Sequence, residues 1–262
     1  FVHYGKVEKG SISIGQSVNL EIDVLKRNNS KAYHSATHLL HESLRRTLGK
    51  HVTQKGSLVS PERLRFDFSH NKPIEKDEMI KINKIVNEIV GGSTEVQTRI
   101  MTPKEAVGMG ALALFGEKYG EEVRVVFMGK ENNGFFSTEL CGGTHVKNTK
   151  EIGKFKVISQ SSIASGVRRI EALRDKQLEE YLKNKEKLSN LSAEKDEETI
   201  KDLSQQIIKL GGKPSIDETD QKTLIKNLTK QLETISVNAI LEDKSKNIIK
   251  DKEINGVKLR LQ

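Results

Sequence analysis

A change of composition near Ala172 sets the first limit on what this chain can fold into. Beyond it, Lys- and Glu-rich stretches carry sparse apolar residues: Leu178, Leu182, Leu188 and Leu191, then Leu203, Ile207 and Leu210. After Gly211-Gly212 come Leu224, Leu228, Leu232 and Ile235. Spacings mostly of three and four put these on a narrow helical stripe. So thin a stripe cannot enclose a core. The region reads as two antiparallel helices, the second from about 220 to 241, broken at the glycine pair. Such a hairpin suits a solvated arm spacing two domains, with a coiled-coil oligomerisation element as the alternative. A sizeable core must therefore form earlier in the chain, whose 262 residues suffice for one to three domains.

That earlier part mixes two periodicities. Residues 1–25 alternate and break at Gly5, Gly10 and Gly15, which predicts short strands, the tail of a β-domain begun upstream. Residues 31–48 predict a helix capped by Asn29 or Ser30, with Ala36, Leu40, Leu44 and Leu48 in a stripe and Gly49 closing it in the left-handed conformation. A strand follows at 63–68. An amphipathic helix spans 75–90 through Met79, Ile82, Val86 and Ile89, and alternation resumes at 94–100. Thr102-Pro103-Lys104-Glu105 opens a helix running to about Tyr119. Strands are expected at 123–128, 134–140, 154–159 and 166–173, and a last one from Ile254.

The charge is asymmetric. Residues 1–171 hold 26 Lys and Arg against 19 Asp and Glu, a net of +7, while 172–262 hold 18 against 17, a net of +1, together the +8 of the chain. A polyanionic partner for the first two thirds explains this, and so do solvated lysine-rich faces. No stretch approaches the roughly 20 apolar residues of a membrane helix. The first residues show no apolar secretory core, and the first of them is Phe1 rather than Met, so the chain is expected to be a piece of a longer one. One cysteine, Cys141, permits no internal disulfide and points to a reducing compartment, the cytoplasm.

Two pairs at i, i+4 carry the chemistry. His34 and His38 project from one face of the predicted helix, with His41 nearly in line. Cys141 and His145 flank Gly142-Gly143-Thr144 just after a predicted strand, where the glycines permit a sharp turn. Separately, each pair has a plain reading: two helical histidines, and an inert buried cysteine beside a turn. Cys141 as a nucleophile with His145 as its base is a further one. Together, His34, His38, Cys141 and His145 form a tetrahedral zinc inventory. Thr37, Gln54, Ser57 and Thr144 are small polar residues close to them in sequence, able to hydrogen-bond a substrate.

Five segments carry a family resemblance: His34-Ser-Ala-Thr-His38-Leu-Leu, Gln54-Lys-Gly-Ser57, Arg63-Leu-Arg-Phe-Asp-Phe-Ser-His70, Glu139-Leu-Cys-Gly-Gly-Thr-His-Val146 and Gly166-Val-Arg-Arg-Ile-Glu-Ala172. In order over about 27–173, they resemble the editing domain of alanyl-tRNA synthetases and the freestanding AlaX proteins. Threonyl-tRNA synthetase editing domains share the paired ligands but lack the Gly-Gly-Thr sequence. The resemblance implies an α+β fold, antiparallel sheet with flanking helices. It implies hydrolysis of seryl- or glycyl-tRNA(Ala), and zinc on His34, His38, Cys141 and His145. Thr37 and Gln54 carry over as pocket residues concerned with serine against alanine. Arg168 and Arg169 match a basic pair near the tRNA acceptor end, although strand alternation lets only one face a given site. Flanks favour the synthetase over AlaX. Residues 1–26 would end a β-barrel, 27–175 form the editing domain, 176–243 the helical hairpin and 244–262 the start of a further domain. Self-association would reside in the helical part or in chain beyond it. With no Ser-His-Asp set visible, water activated at zinc is the expected nucleophile. A noncatalytic zinc-stabilised tRNA-binding module is the competing reading.

Overall fold

Asp23 starts the first helix, α1 (Val24–Leu48), by accepting a hydrogen bond from the Lys26 backbone N–H at 2.9 Å. The helix thus begins nearly two turns before the expected Asn29 or Ser30 cap. Those two residues lie inside it. Gly49 ends it with φ 121° and ψ 165°, a glycine conformation outside the left-handed helical region that was expected. The computed structural model describes residues 2–112, 120–132, 134–216, 220–246, 250–254 and 257–261. The chain divides into two compact units, 1–180 and 181–262.

In the first unit, α1 is followed by β1 (Gln54–Val59), β2 (Leu64–Ser69), α2 (Lys76–Gly91), β3 (Gln97–Met101) and α3 (Pro103–Gly108). Then come β4 (Val123–Glu131), β5 (Gly134–Leu140), a 3₁₀ turn (Thr149–Ile152), β6 (Phe155–Ala164) and β7 (Val167–Arg174). One antiparallel sheet has the order β1-β2-β7-β6, the other β3-β4-β5. The α+β class with flanking helices is therefore as expected.

Pairing of Leu64 with Ala172 and Phe66 with Ile170 puts these side chains on one face of the larger sheet. They join Phe68, Tyr33, Leu39, Leu40 and Leu44 of α1 and Ile82 and Val86 of α2 in one core. The opposite face pairs Asp67 with Arg169 and Arg65 with Glu171, a polar surface. Two amides fix α2 to the edge strand β6. Asn87 accepts from the Phe155 N–H at 3.0 Å and donates to its carbonyl at 2.8 Å, and Asn83 accepts from Val157 N–H at 2.8 Å. These satisfy backbone groups that a further strand would otherwise take.

Two further expectations are corrected, and one strand was not foreseen. Residues 2–22 contain no strand; their Val2, Tyr4, Ile12, Ile14 and Leu20 are exposed. Alternation makes a strand only where another strand receives its N–H and C=O groups. The helix opened by Thr102 is capped as expected, its side chain and that of Glu105 bonding reciprocally to backbone N–H groups, but it ends at Gly108; 113–119 lie outside the described residues. β1 was not anticipated, because Gln54-Lys-Gly-Ser has neither alternation nor β-branched residues. Its pairing with β2 makes it a strand.

In the second unit, α4 (Asp175–Lys209), which begins at the end of the first, is followed by α5 (Gln221–Lys246). Gly211, at φ 79°, donates to Ile208 carbonyl and Gly212 donates to Ile207 carbonyl, the paired bonds that close a helix C-terminus. Ile207, Leu224 and Leu228 are buried together, with Leu203 and Leu232 against them. Leu188 and Leu191 remain exposed, as the thin stripe implied. The strand expected from Ile254 is the second half of a hairpin, β8 (Lys250–Ile254) with β9 (Val257–Leu261); positions 255 and 256 lie outside the described residues.

Candidate metal centre

The two pairs meet. His34 and His38 on α1 face Cys141 and His145 in the turn after β5, and their four ligand atoms lie within 4.8 Å of one another. Cys141 Sγ is 3.5 Å from His34 Nε2 and 3.4 Å from His145 Nε2. Zinc–sulfur and zinc–nitrogen bonds of about 2.3 and 2.1 Å at a tetrahedral angle would separate S and N by about 3.6 Å.

Hydrogen bonds on the far side of each ring decide what the near side offers. His34 Nδ1 lies 3.2 Å from the Thr144 carbonyl, which only accepts, so Nδ1 carries the proton. His38 Nδ1 lies 2.7 Å from the Glu139 carboxylate, with the same consequence. Ser35 Oγ gives its proton to the Lys31 carbonyl, so His145 Nδ1, 3.3 Å away, must donate to it. All three imidazoles are thus held as Nδ1–H tautomers, and three Nε2 lone pairs converge on a sulfur. His38 Nε2 is buried without a partner, which a cation would supply.

Electrostatics agree. Burial favours the neutral Cys141 thiol, but the imidazoles of His145, His34 and His38 packed against the sulfur outweigh it and lower the pKa to about 3, favouring the thiolate, the ligating form. Burial opposes a charged His38, yet Glu139 and the thiolate raise it to about 10, so without a metal His38 carries a proton on Nε2 as well, and a metal ion would take that proton's place on the lone pair. Burial lowers His145 to about 4 against its bond to Cys141, leaving it neutral. Without a metal, the cluster needs one proton to balance its thiolate. His34, His38, Cys141 and His145 therefore form a group able to hold a metal ion, with a donor set compatible with zinc.

The turn is built for this approach. A Cβ on Gly143 would sit 2.2 Å from His34 Cε1, so only glycine fits. Arg124 Nη1 donates to the carbonyls of Cys141 at 3.0 Å and Gly143 at 2.7 Å, fixing the path between ligands. Glu139 also takes His41 Nδ1 at 3.1 Å on its other oxygen. Sequence reasoning missed Glu139, Ser35 and Arg124 as parts of the site. Glu139 alone left a signal: two residues before Cys141 on a strand, it shares its face.

Other expected site residues lie elsewhere or act differently. Thr144 contributes its carbonyl, its side chain being exposed. Thr37 is buried and donates to the Tyr33 carbonyl at 2.9 Å. Gln54 donates to Ser57 at 3.3 Å. Arg169 is bound to both oxygens of Asp67 at 2.7 and 2.8 Å, whereas Arg168 donates to Gln160 at 3.1 Å. Their alternate faces follow the expected strand pattern.

The family model "Threonyl and Alanyl tRNA synthetase second additional domain" matches residues 123–171, from β4 to β7 with Cys141 and His145 inside it. The "Alanine--tRNA ligase" of Parvibaculum lavamentivorans is 50% identical over 212 residues, 80% of this chain and 24% of that protein. Over most of its own length this chain matches a segment of alanyl-tRNA synthetases. The synthetase of Mesorhizobium japonicum is 55% identical over 178 residues, 66% of this chain and 20% of its own, and that of Rhodopseudomonas palustris 56% over 179. The chain thus spans at most about a quarter of these synthetases.

Proposed function

We propose that this chain edits tRNA(Ala), hydrolysing the ester of seryl- or glycyl-tRNA(Ala) at a zinc held by His34, His38, Cys141 and His145, during translation in the cytoplasm. The observation that carries this is the enforced Nδ1–H tautomer of all three histidines, which directs three lone pairs and a thiolate at one point. Zinc held there would supply Lewis acidity and lower the pKa of a water. Residues 27–175 act as the editing domain and 176–243 as its helical hairpin.

The chain's own residues hold the ester in place. The Thr37 hydroxyl proton is committed to the Tyr33 carbonyl. Its remaining lone pairs can only accept, and the hydroxyl of a seryl ester is a donor the alanyl ester lacks. Gln54 and Ser57, hydrogen-bonded to each other on β1, would line the approach with Thr144. Arg168 and Arg169 would lie along the acceptor end of tRNA(Ala), with Arg169 set by Asp67.

One observation favours a second reading. Four protein donors within 4.8 Å can close a metal site, which is the structural form of zinc. In that case the chain is a zinc-stabilised tRNA-binding module without turnover. Ester loss from seryl-tRNA(Ala), followed with wild type, Cys141→Ala and a chelated sample, separates the two. Turnover by wild type alone supports editing; a folded, metal-loaded but inert wild type refutes it. In the same assay Thr37→Val should narrow the ratio of seryl to alanyl deacylation rates by roughly tenfold, the worth of one hydrogen bond to a substrate hydroxyl. An unchanged ratio would remove Thr37 from selection.

A further inference from the structure

Of the three histidines on α1, His41 is the one the metal-ligand group leaves out. It lies three residues beyond His38, nearly one turn further along the helix. Side chains of α1 meet β5 and the turn after it in opposite chain directions. His34 reaches the Thr144 carbonyl, His38 and His41 both reach Glu139, and Arg46 reaches the Phe136 carbonyl at 3.1 Å. Glu139 is thus shared between a ligand and a histidine that ligates nothing.

The surroundings of His41 leave its ring one polar task. The ring is buried and packs against Phe66 of β2, with centroids 5.4 Å apart and planes tilted by 48°. Nε2 is buried and has no hydrogen-bond partner among the described residues. Nδ1 lies 3.1 Å from Glu139 Oε1 and donates to it, since a carboxylate only accepts. The other oxygen, Oε2, takes the Nδ1–H of His38 at 2.7 Å. Ser137 Oγ stands 3.4 Å from Oε1, too far to fix the carboxylate by itself. A carboxylate with a firm donor on each oxygen has its plane set. Held by His38 alone, it could turn about its last side-chain bond and draw the His38 ring with it. Because Nε2 is on the other side of that ring, such a turn would swing it away from the sulfur.

We propose that His41 is a positioning residue of the metal centre: acting through Glu139, it holds the carboxylate so that His38 keeps its Nε2 aimed at the ion. This rests on the metal-binding part of the reading above and not on turnover. The Nδ1–H is the working group, and the rest of the ring fills the core beside Phe66.

The test titrates zinc into the full chain against a chromophoric chelator, with the cobalt spectrum as the report on geometry and denaturant unfolding of each metal-free variant as the report on the fold. His41→Leu should weaken zinc binding about tenfold, the low end for an outer partner of a ligand, and alter the cobalt spectrum. His41→Asn places its amide nitrogen where the ring has Nδ1, and should bind zinc within about twofold of wild type. In a Glu139→Ala background His41→Leu should weaken binding no further, because no carboxylate is left to hold. A leucine variant that loses metal-free stability but keeps the wild-type zinc affinity and cobalt spectrum makes His41 a packing residue and overturns the proposal. An undiminished loss in the Glu139→Ala background overturns it too. Where the leucine variant does not fold, His41→Gln decides. Its amide nitrogen falls where the ring has Nε2, so it should lose the affinity that asparagine keeps; equal affinities overturn the proposal. A wild type that takes up neither ion overturns both this proposal and the metal centre. A wild type that holds zinc in this His41-dependent way but releases no serine from seryl-tRNA(Ala) leaves the positioning role standing and refutes the editing reading alone.

Discussion

Glu139→Gln tests whether the tautomers create the metal centre. Both Glu139 oxygens receive protons, from His38 Nδ1 at 2.7 Å and His41 Nδ1 at 3.1 Å, in a buried position. Glutamine keeps the shape but offers one acceptor and one donor. Its carbonyl can hold His38 as before only if its NH₂ faces His41, which must then shift its proton to Nε2, an atom buried without a partner among the described residues. The bond to His38 also loses its charge. A hydrogen bond to a charged group contributes about 1.5–3 kcal/mol and a neutral one about 0.5–1.5, so the expected loss is about 1.4 kcal/mol, or tenfold in zinc affinity. Glu139→Ala removes both bonds and should cost nearer a hundredfold. Competition against a chromophoric chelator measures this, with the cobalt absorption spectrum reporting geometry. Denaturant unfolding of each metal-free variant separates fold from site. If the glutamine variant binds zinc within threefold of wild type, with an unchanged cobalt spectrum, the carboxylate does not set the His38 tautomer, and the argument from converging lone pairs fails.

Two further predictions concern the surroundings. Gly143→Ala places a methyl 2.2 Å from His34 Cε1, which should displace that ring, abolish a four-ligand cobalt spectrum and destabilise the fold by about 1–3 kcal/mol; a normal spectrum would refute the close approach. His70 tests acid sensitivity. Burial and neighbouring His51, whose Nε2 is 2.9 Å from His70 Nδ1, hold its pKa below the usual imidazole value of 6.5. A depressed folded pKa gives stability that is present above 6.5 and lost as pH falls through the folded value. Denaturant unfolding of wild type should therefore show stability falling below pH 6.5, with the fall reduced in His70→Asn; an equal fall in both would place the sensitivity elsewhere.

The sequence by itself determined which residues could share a face. Spacing of four on a helix fixed His34 and His38 as a pair, and the strand-glycine-glycine turn fixed Cys141 and His145. Alternation separated Arg168 from Arg169, and sparse leucines confined the second unit to helices. These are consequences of local periodicity, which each segment carries within itself. What lies opposite a face is not local. Only the folded chain showed that Glu139, Ser35 and the Thr144 carbonyl stand behind the three rings, because hydrogen-bond partners 98 to 111 residues apart leave no spacing to read. The same holds for strands. Gln54–Val59 became one because β2 offered its edge, while the well-alternating residues 2–22 found no such edge among the described residues and remain without a strand. Periodicity specifies a surface; pairing, burial and the tautomer of a buried ring are decided by what the tertiary structure sets against it.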